Sequence, residues 1–298
     1  MTKPVALHRA VSRFHGLANA RTRKHACRTA ERSAMVATSA GWRSPAPYLY
    51  ALHLGDPELA WEYLRRNPDY RRDWDSRHNH LPDDDRPARW GLRLLEDPLR
   101  DARDAEPAWR PEIYRAVLIQ PDADPPQDAL PFRFWSISGR KSLVHDGKRL
   151  ILTSRLAGRT VRVNLAPDLQ EDQPHAYAVS TGNDLKGAQR VIEAQWMALD
   201  ATPLTAVVFG RPDRIAVMHM RILQALDGAA AGASQRDIAQ AIFGASQLAG
   251  RWHSDDALRA QVRHLLRRGK ALMQGGYRDL LGNHAPRQGD LHQGTESP

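Results

Sequence analysis

Three arginines, Arg259, Arg263 and Arg267, follow one another at four-residue steps, flanked by His264, Arg268 and Lys270, with no acid between Arg259 and Lys270. At 3.6 residues per turn, such a row climbs one side of a helix. Guanidinium forks present paired N–H donors in the geometry that phosphate oxygens and guanine edges accept, and Gln261 adds an amide at the edge of the row. Leu258, Val262, Leu265, Leu266, Leu272 and Met273 interleave with the row as a broad apolar stripe that would seat the helix on its neighbours. This is the composition of a recognition helix. A charge run is more often a solvated helix face, and that plainer reading stands beside it.

A recognition helix must be carried by others. The stretch 213–281 reads as three or four helices with a helix-turn-helix in the middle. Ile215, Met218, Ile222, Leu223 and Leu226 recur at three- and four-residue steps and define a face to be buried, after which Gly228 to Gly232 release the chain. Ser234 followed three residues later by Asp237 is a capping box, and Ile238, Ala239, Ala241, Ile242 and Phe243 run from it to a stop at Gly244. Gln235 and Arg236 open this short helix, where its N-terminus would let them anchor phosphate. Ser254, Asp255 and Asp256 then favour a helix start, and the basic helix runs from 255 to about 274, before Gly275 and Gly276.

At these residues a family resemblance appears. The run SQRDIAQAIFG, then RW, then LRAQVRHLLRRGKALMQGGYRDLL resembles the C-terminal helix-turn-helix variant of FseA- and RovC-type bacterial transcriptional activators. The run YLYALHLGDPELAWEYLRRNPDYRRDW, 48–74, resembles the regulator-like domain often fused ahead of it. With the segment 150–177, the likeness covers most of the chain after about Gly41. It implies an activator of conjugative-element excision and transfer, or of secretion genes, with no catalytic site. Some members act as antiactivators that bind an activator.

The formal charge is +9 and the pI near 10. Lys3, Arg9, Arg13, Arg21, Arg23, Lys24, Arg28 and Arg32 stand against Glu31 alone, so the first 34 residues carry +7 of it. Overall charge is therefore an argument about a tail, whereas the +4 of 213–281 is concentrated on one helix. Residues 1–40 are expected to be disordered. They read as a basic arm on phosphate, as a transit peptide, or as sequence upstream of a start at Met35, the last being favoured because the family likeness begins just after it. No apolar run approaches the roughly 20 residues that cross a bilayer, and the single Cys27 forms neither an internal disulfide nor a zinc cage. A cytoplasmic protein without cofactors is expected.

In chain order, residues 41–106 form a small helical, aromatic-rich unit. Asp56-Pro57 starts a helix with Leu59, Ala60, Tyr63 and Leu64 inward, Asn67-Pro68 stops it, and Tyr70 and Trp74 share a face of the next. With few aliphatics to hand, Trp42, Tyr48, Tyr50, Trp61, Tyr63, Tyr70 and Trp74 are expected to pack as its core. Residues 107–131 are a Pro-rich connector, interrupted by IYRAVLI as an edge strand. Residues 132–212 hold an antiparallel meander, SLVH, RLILTSRL and TVRVNLA, with turns at Asp146-Gly147 and Ala157-Gly158, followed by a helix over 184–199. The helix-turn-helix domain spans 213–283 and a disordered tail 284–298. The fold class is α+β.

Catalytic signatures are missing: no phosphate loop, nucleophile elbow, dinucleotide turn or zinc-protease helix occurs. The adjacent His78-Asn79-His80 cannot converge on one ion, and Asp83, Asp84 and Asp85 lack the spacing of a calcium loop. The expectation is a sequence-specific activator acting on double-stranded DNA as a homo-oligomer, with RNA polymerase or an antiactivator as further partners. Two alternatives stand beside it: a protein-binding antiactivator or adaptor, and a mobile-element enzyme that processes DNA.

Overall fold

The computed structural model describes residues 41–77, 85–145, 148–156, 159–179, 213–248 and 257–282, together with Gln189 and Ile192. The basic tail, His78 to Asp84, the two hairpin turns, most of the helix expected over 184–199, the segment 249–256 and the C-terminal tail lie outside the described residues.

A 3-10 turn, Ala46–His53, leads into helix α1, Asp56–Leu64, and helix α2, Pro68–Asp75. Proline at the first turn of α1 and α2 suits a position whose N–H has no helical acceptor. Asn67, expected only as a stop, caps α2: its Oδ1 accepts from the backbone N–H of Asp69 and Tyr70. Its Nδ2 donates to the carbonyl of Met273, 2.9 Å away across the fold. A short helix α3, Arg86–Arg89, follows.

Among the described residues β1 Leu118–Pro121, β2 Arg140–His145, β3 Leu150–Leu156, β4 Arg159–Leu165 and β5 His175–Ala178 form one sheet of five strands in the order β2-β3-β4-β1-β5. The strands β2, β3 and β4 are the expected antiparallel meander. The edge-strand expectation for IYRAVLI is corrected. Only Leu118–Pro121 is a strand, and it lies inside the sheet, parallel to β4 and antiparallel to β5. Val117 and Ile119 are fully buried, and β5 saturates the outer side of β1. An edge is therefore not what this apolar run serves.

Strand alternation gives the sheet two unlike faces. Leu152, Val161, Val163 and Leu165 join Val117, Ile119, Phe132 and Ile137 in a core of their own. The opposite face carries Arg155 and Arg162, which tie it to the helical part. Arg162 Nη1 lies 3.4 Å from Glu58 of α1, and Arg155 pairs with Glu106 at 2.7 Å.

Helices α4, Arg214–Ala230, α5, Gln235–Phe243, α6, Ala245–Leu248, α7, Ala257–Ala271, and α8, Tyr277–Gly282, complete the chain. The aromatic unit does not close on itself. Trp42, Tyr48, Trp61, Tyr63 and Tyr70 share one hydrophobic cluster with Ile222, Leu223, Ile238, Val262, Leu265 and Tyr277. The aliphatics that segment 41–106 lacks come from segment 213–282, more than a hundred residues away. The polar groups that cross this contact are satisfied. Tyr63 Oη and His219 Nδ1 are 2.7 Å apart, Gln224 donates to the Trp42 carbonyl at 2.9 Å, and Arg66 pairs with Asp227 at 2.8 Å.

The buried face of α4 is rotated from the expected one. Ala216, His219, Ile222, Leu223 and Leu226 are buried, while Ile215 is 43% exposed. The helix ends at Ala230, within the expected release from Gly228 to Gly232, and Gly228 itself is packed: a Cβ there would come within 2.9 Å of the Trp42 ring.

Candidate nucleic-acid interface

Helices α4, α5 and α7 pack against one another, and α7 carries the basic row. What seats α7 is its apolar stripe: Val262 and Leu265 are buried, with Leu258 and Leu266 partly so. Gly269 lies on the same stripe, where a Cβ would sit 2.8 Å from Ile222 and 2.9 Å from Leu226 of α4. Glycine there lets the two helices approach closely. The seat fixes what faces outward, since each residue turns the helix by 100°.

Arg263, Arg267, Arg268, Lys270, His264 and Gln261 are exposed, and Arg259 is partly covered at the margin of the stripe. Arg259, Arg263, Arg267 and Lys270 occupy one flank of the outer surface, and Gln261, His264 and Arg268 the other. Several arginines elsewhere on the surface are tied to acids, Arg72 to Asp69, Arg100 to Glu96 and Arg103 to Asp101. Among the described residues no carboxylate pairs with the basic groups of α7. Arg267 instead approaches His264 Nδ1 at 3.4 Å, and Arg268 Nη1 lies 3.4 Å from Met218 Sδ. A row of cations without acids keeps its field directed at solvent, where a polyanion would meet it.

The two remaining candidates open α5. Arg236 is exposed, whereas Gln235 is partly covered, its Oε1 enclosed with no donor among the described residues. The capping box forms as expected. The Asp237 N–H donates to Ser234 Oγ at 3.2 Å and the Ser234 N–H donates back to Asp237 Oδ2 at 3.1 Å. These bonds from Ser234 hold the Asp237 carboxyl below its usual range. Ser234→Ala is expected to cost about 1 kcal/mol of stability, read from urea unfolding, with no change in helix packing elsewhere.

Two arginines belong to this surface that the sequence reading passed over. Arg214 and Arg221 of α4 line a recess of about 800 Å³ with Phe243 of α5 and Gln261 and His264 of α7. Arg221 stacks over Phe243 at 5.5 Å from its centroid. Their spacing of two helical turns was the available signal. The apolar face of that helix is the stronger pattern and masks it.

Among the described residues no cluster of three or more His, Cys, Asp or Glu could hold a metal, and no helix is long and apolar enough to cross a membrane. These helices lie in a region that comparison with known families describes. Residues 178–282 match a family model described as "T6SS, Transcription factor, DNA binding domain". Residues 41–94 match a proteobacterial transcriptional regulator-like domain, and residues 114–161 a domain of unknown function. No curated protein matches the chain. The class is thus a DNA-binding transcriptional regulator. More particularly, the chain is a regulator of the RovC and FseA type, with a RovC-type DNA-binding domain behind the regulator-like one.

Proposed function

We propose that the protein is a sequence-specific transcriptional activator of mobile-element transfer or secretion genes, working in the cytoplasm. The observation that carries this reading is α7: a helix anchored by Val262, Leu265 and Gly269 that turns out a row of arginines with no described acid to neutralise them. In this reading α5 and α7 act as a helix-turn-helix. Helix α7 enters the major groove with Arg259, Arg263 and Arg267 on bases or phosphate, Gln261, His264, Arg268 and Lys270 lie at the edges, and Gln235 and Arg236 hold the backbone. One such module seldom specifies a site alone, so a homodimer or larger assembly on repeated half-sites is part of the proposal, with RNA polymerase as the partner of activation and an antiactivator as its restraint. The family description supports the secretion branch by its reference to a T6SS transcription factor.

The deciding experiment is binding selection on random duplex DNA at physiological salt, using protein that starts at Met35 so that the basic tail does not dominate. A defined and repeated motif is expected. Weak, sequence-blind binding that disappears with salt would instead reduce the surface to electrostatics and favour a protein partner.

A further inference from the structure

Between the helical part and the sheet lies a small recess with about 20 Å³ of water-accessible space, walled by Trp109, Tyr114, Arg93, Ile151, Arg162 and Asn164 among others. It has no part in the α7 surface. Two of its walls are buried donors without acceptors. Trp109 is 6% exposed and Arg162 5% exposed, yet among the described residues Trp109 Nε1 and Arg162 Nε and Nη1 make no hydrogen bond. Glu58 stands 3.4 Å from Arg162 Nη1, an ion-pair distance that leaves both of these nitrogens without a hydrogen-bonded acceptor.

A donor left without an acceptor in a buried site is costly, and more so a charged one, so Trp109 Nε1 and Arg162 Nε, with Nη1 held only at ion-pair distance from Glu58, call for an occupant. The volume suits one water or one compact ion. A water offers two lone pairs and brings two hydrogens of its own that need acceptors. An anion accepts from N–H groups without bringing a donor of its own, and joins Glu58 in facing the guanidinium charge. Tyr114 contributes no competing negative charge: burial first, and Glu58 beside it, push its phenol up to about 12.

We propose that this recess binds a compact monovalent anion, chloride or the carboxylate of a small acid. The indole N–H of Trp109 and the guanidinium of Arg162 hold it. Trp109 belongs to the segment between the helices and β1, and Arg162 to β4, so an occupant bridges the helical part and the sheet. Occupancy therefore fastens one to the other and would report the level of the anion to the regulator.

The test uses the full chain in a sulfate buffer of constant ionic strength, titrated separately with sodium chloride, sodium formate and neutral formamide. The readout is the set of tryptophan indole N–H signals, with that of Trp109 assigned as the one missing in Trp109→Phe. A saturable downfield movement of this signal with chloride or with formate, and none with formamide, is the expected result. Which salt moves it identifies the source. Thermal unfolding gives a second readout. Anion-dependent stabilisation is expected in the native protein, weakened about tenfold in apparent affinity by Trp109→Phe, which removes one charge-assisted hydrogen bond. It should be abolished by Asn164→Asp, which sets an isosteric negative charge on the wall and needs no assignment. A Trp109 signal that neither anion moves, or stabilisation that is the same in Asn164→Asp as in the native chain, would overturn the proposal and leave the recess to water.

Discussion

Arg66→Met is expected to destabilise the protein by about 3 kcal/mol, measured as a lowered urea midpoint, because it removes both charged contacts to the partly buried Asp227 and one of those to the buried Glu62. Arg66 of the regulator-like segment donates to Asp227 of α4 with Nε at 2.8 Å and Nη2 at 2.9 Å, and its Nη1 reaches Glu62 Oε2 at 2.5 Å. Glu62 also receives Arg65 Nε at 2.8 Å and the N–H of Ala102 at 2.7 Å, so it keeps partners after the change. Among the described residues Asp227 keeps only the Tyr48 hydroxyl, at 2.8 Å. Most of the loss should therefore come from Asp227, and adding Asp227→Asn to Arg66→Met should recover a good part of it. A double variant as unstable as the single one would place the loss in packing of the arginine stem instead.

The same cluster sets an acid limit. Burial alone would raise the Glu62 carboxyl, but Arg65 and Arg66 outweigh it and lower the group to about 2. Asp227 is likewise lowered, burial opposing and Arg66 prevailing. For a carboxylate whose folded value lies below its unfolded one, the stabilisation is complete above the unfolded value, near 4. It is lost as the pH falls from there toward about 2. Stability of the native protein is thus expected to drop across that window, and the drop should be shallower in Arg66→Met, whose carboxylates have less to lose.

This cluster also marks where reading the sequence stopped. The start of α1 and its inward residues Leu59, Ala60, Tyr63 and Leu64 were legible from Asp56-Pro57 and helical spacing, and the capping box of α5 from Ser234 and Asp237 alone. Periodicity assigns acids to the solvent side of a helix, so Glu58 and Glu62 were passed over. In fact α1 is enclosed all round, with Glu62 fully buried and Glu58 5% exposed. Arg162, the partner of Glu58, and Asp227, which Arg66 joins to Glu62, lie more than a hundred residues from α1, and local pattern carries no information about such pairs. The same cause hid the shared core. An aromatic unit short of aliphatics can be recognised as incomplete, but not which segment completes it. The interior place of β1 escaped for a related reason, since parallel pairing with β4 depends on a crossover and not on the residues of the strand. The basic row of α7 was legible because helical spacing is local, and its seat on Gly269 was not, because the close approach to Ile222 and Leu226 belongs to two helices at once.

Arg263→Ala is expected to weaken binding to the selected DNA site by about ten- to a hundredfold, the worth of one well-placed bidentate contact, while leaving thermal unfolding unchanged. The separation of the two effects follows from position. Arg263 is exposed, has no described acid partner, and stands opposite the stripe of Val262, Leu265 and Gly269 that holds the helix, so nothing in the packing depends on it. Its role on DNA can be divided further. If its guanidinium reads a guanine edge, the alanine variant should lose discrimination at one position of the motif, and the loss should persist as salt is raised. If it meets a phosphate, affinity should fall alike on all sequences and the slope of log affinity against log salt should decrease by about one. Arg72→Ala, on another surface and already tied to Asp69, serves as the matched control and should change neither quantity. An Arg263→Ala protein that binds as tightly as the native one would remove this flank of α7 from the interface. The search would then pass to the other flank, where Gln261 and His264 meet Arg214 and Arg221 around the recess.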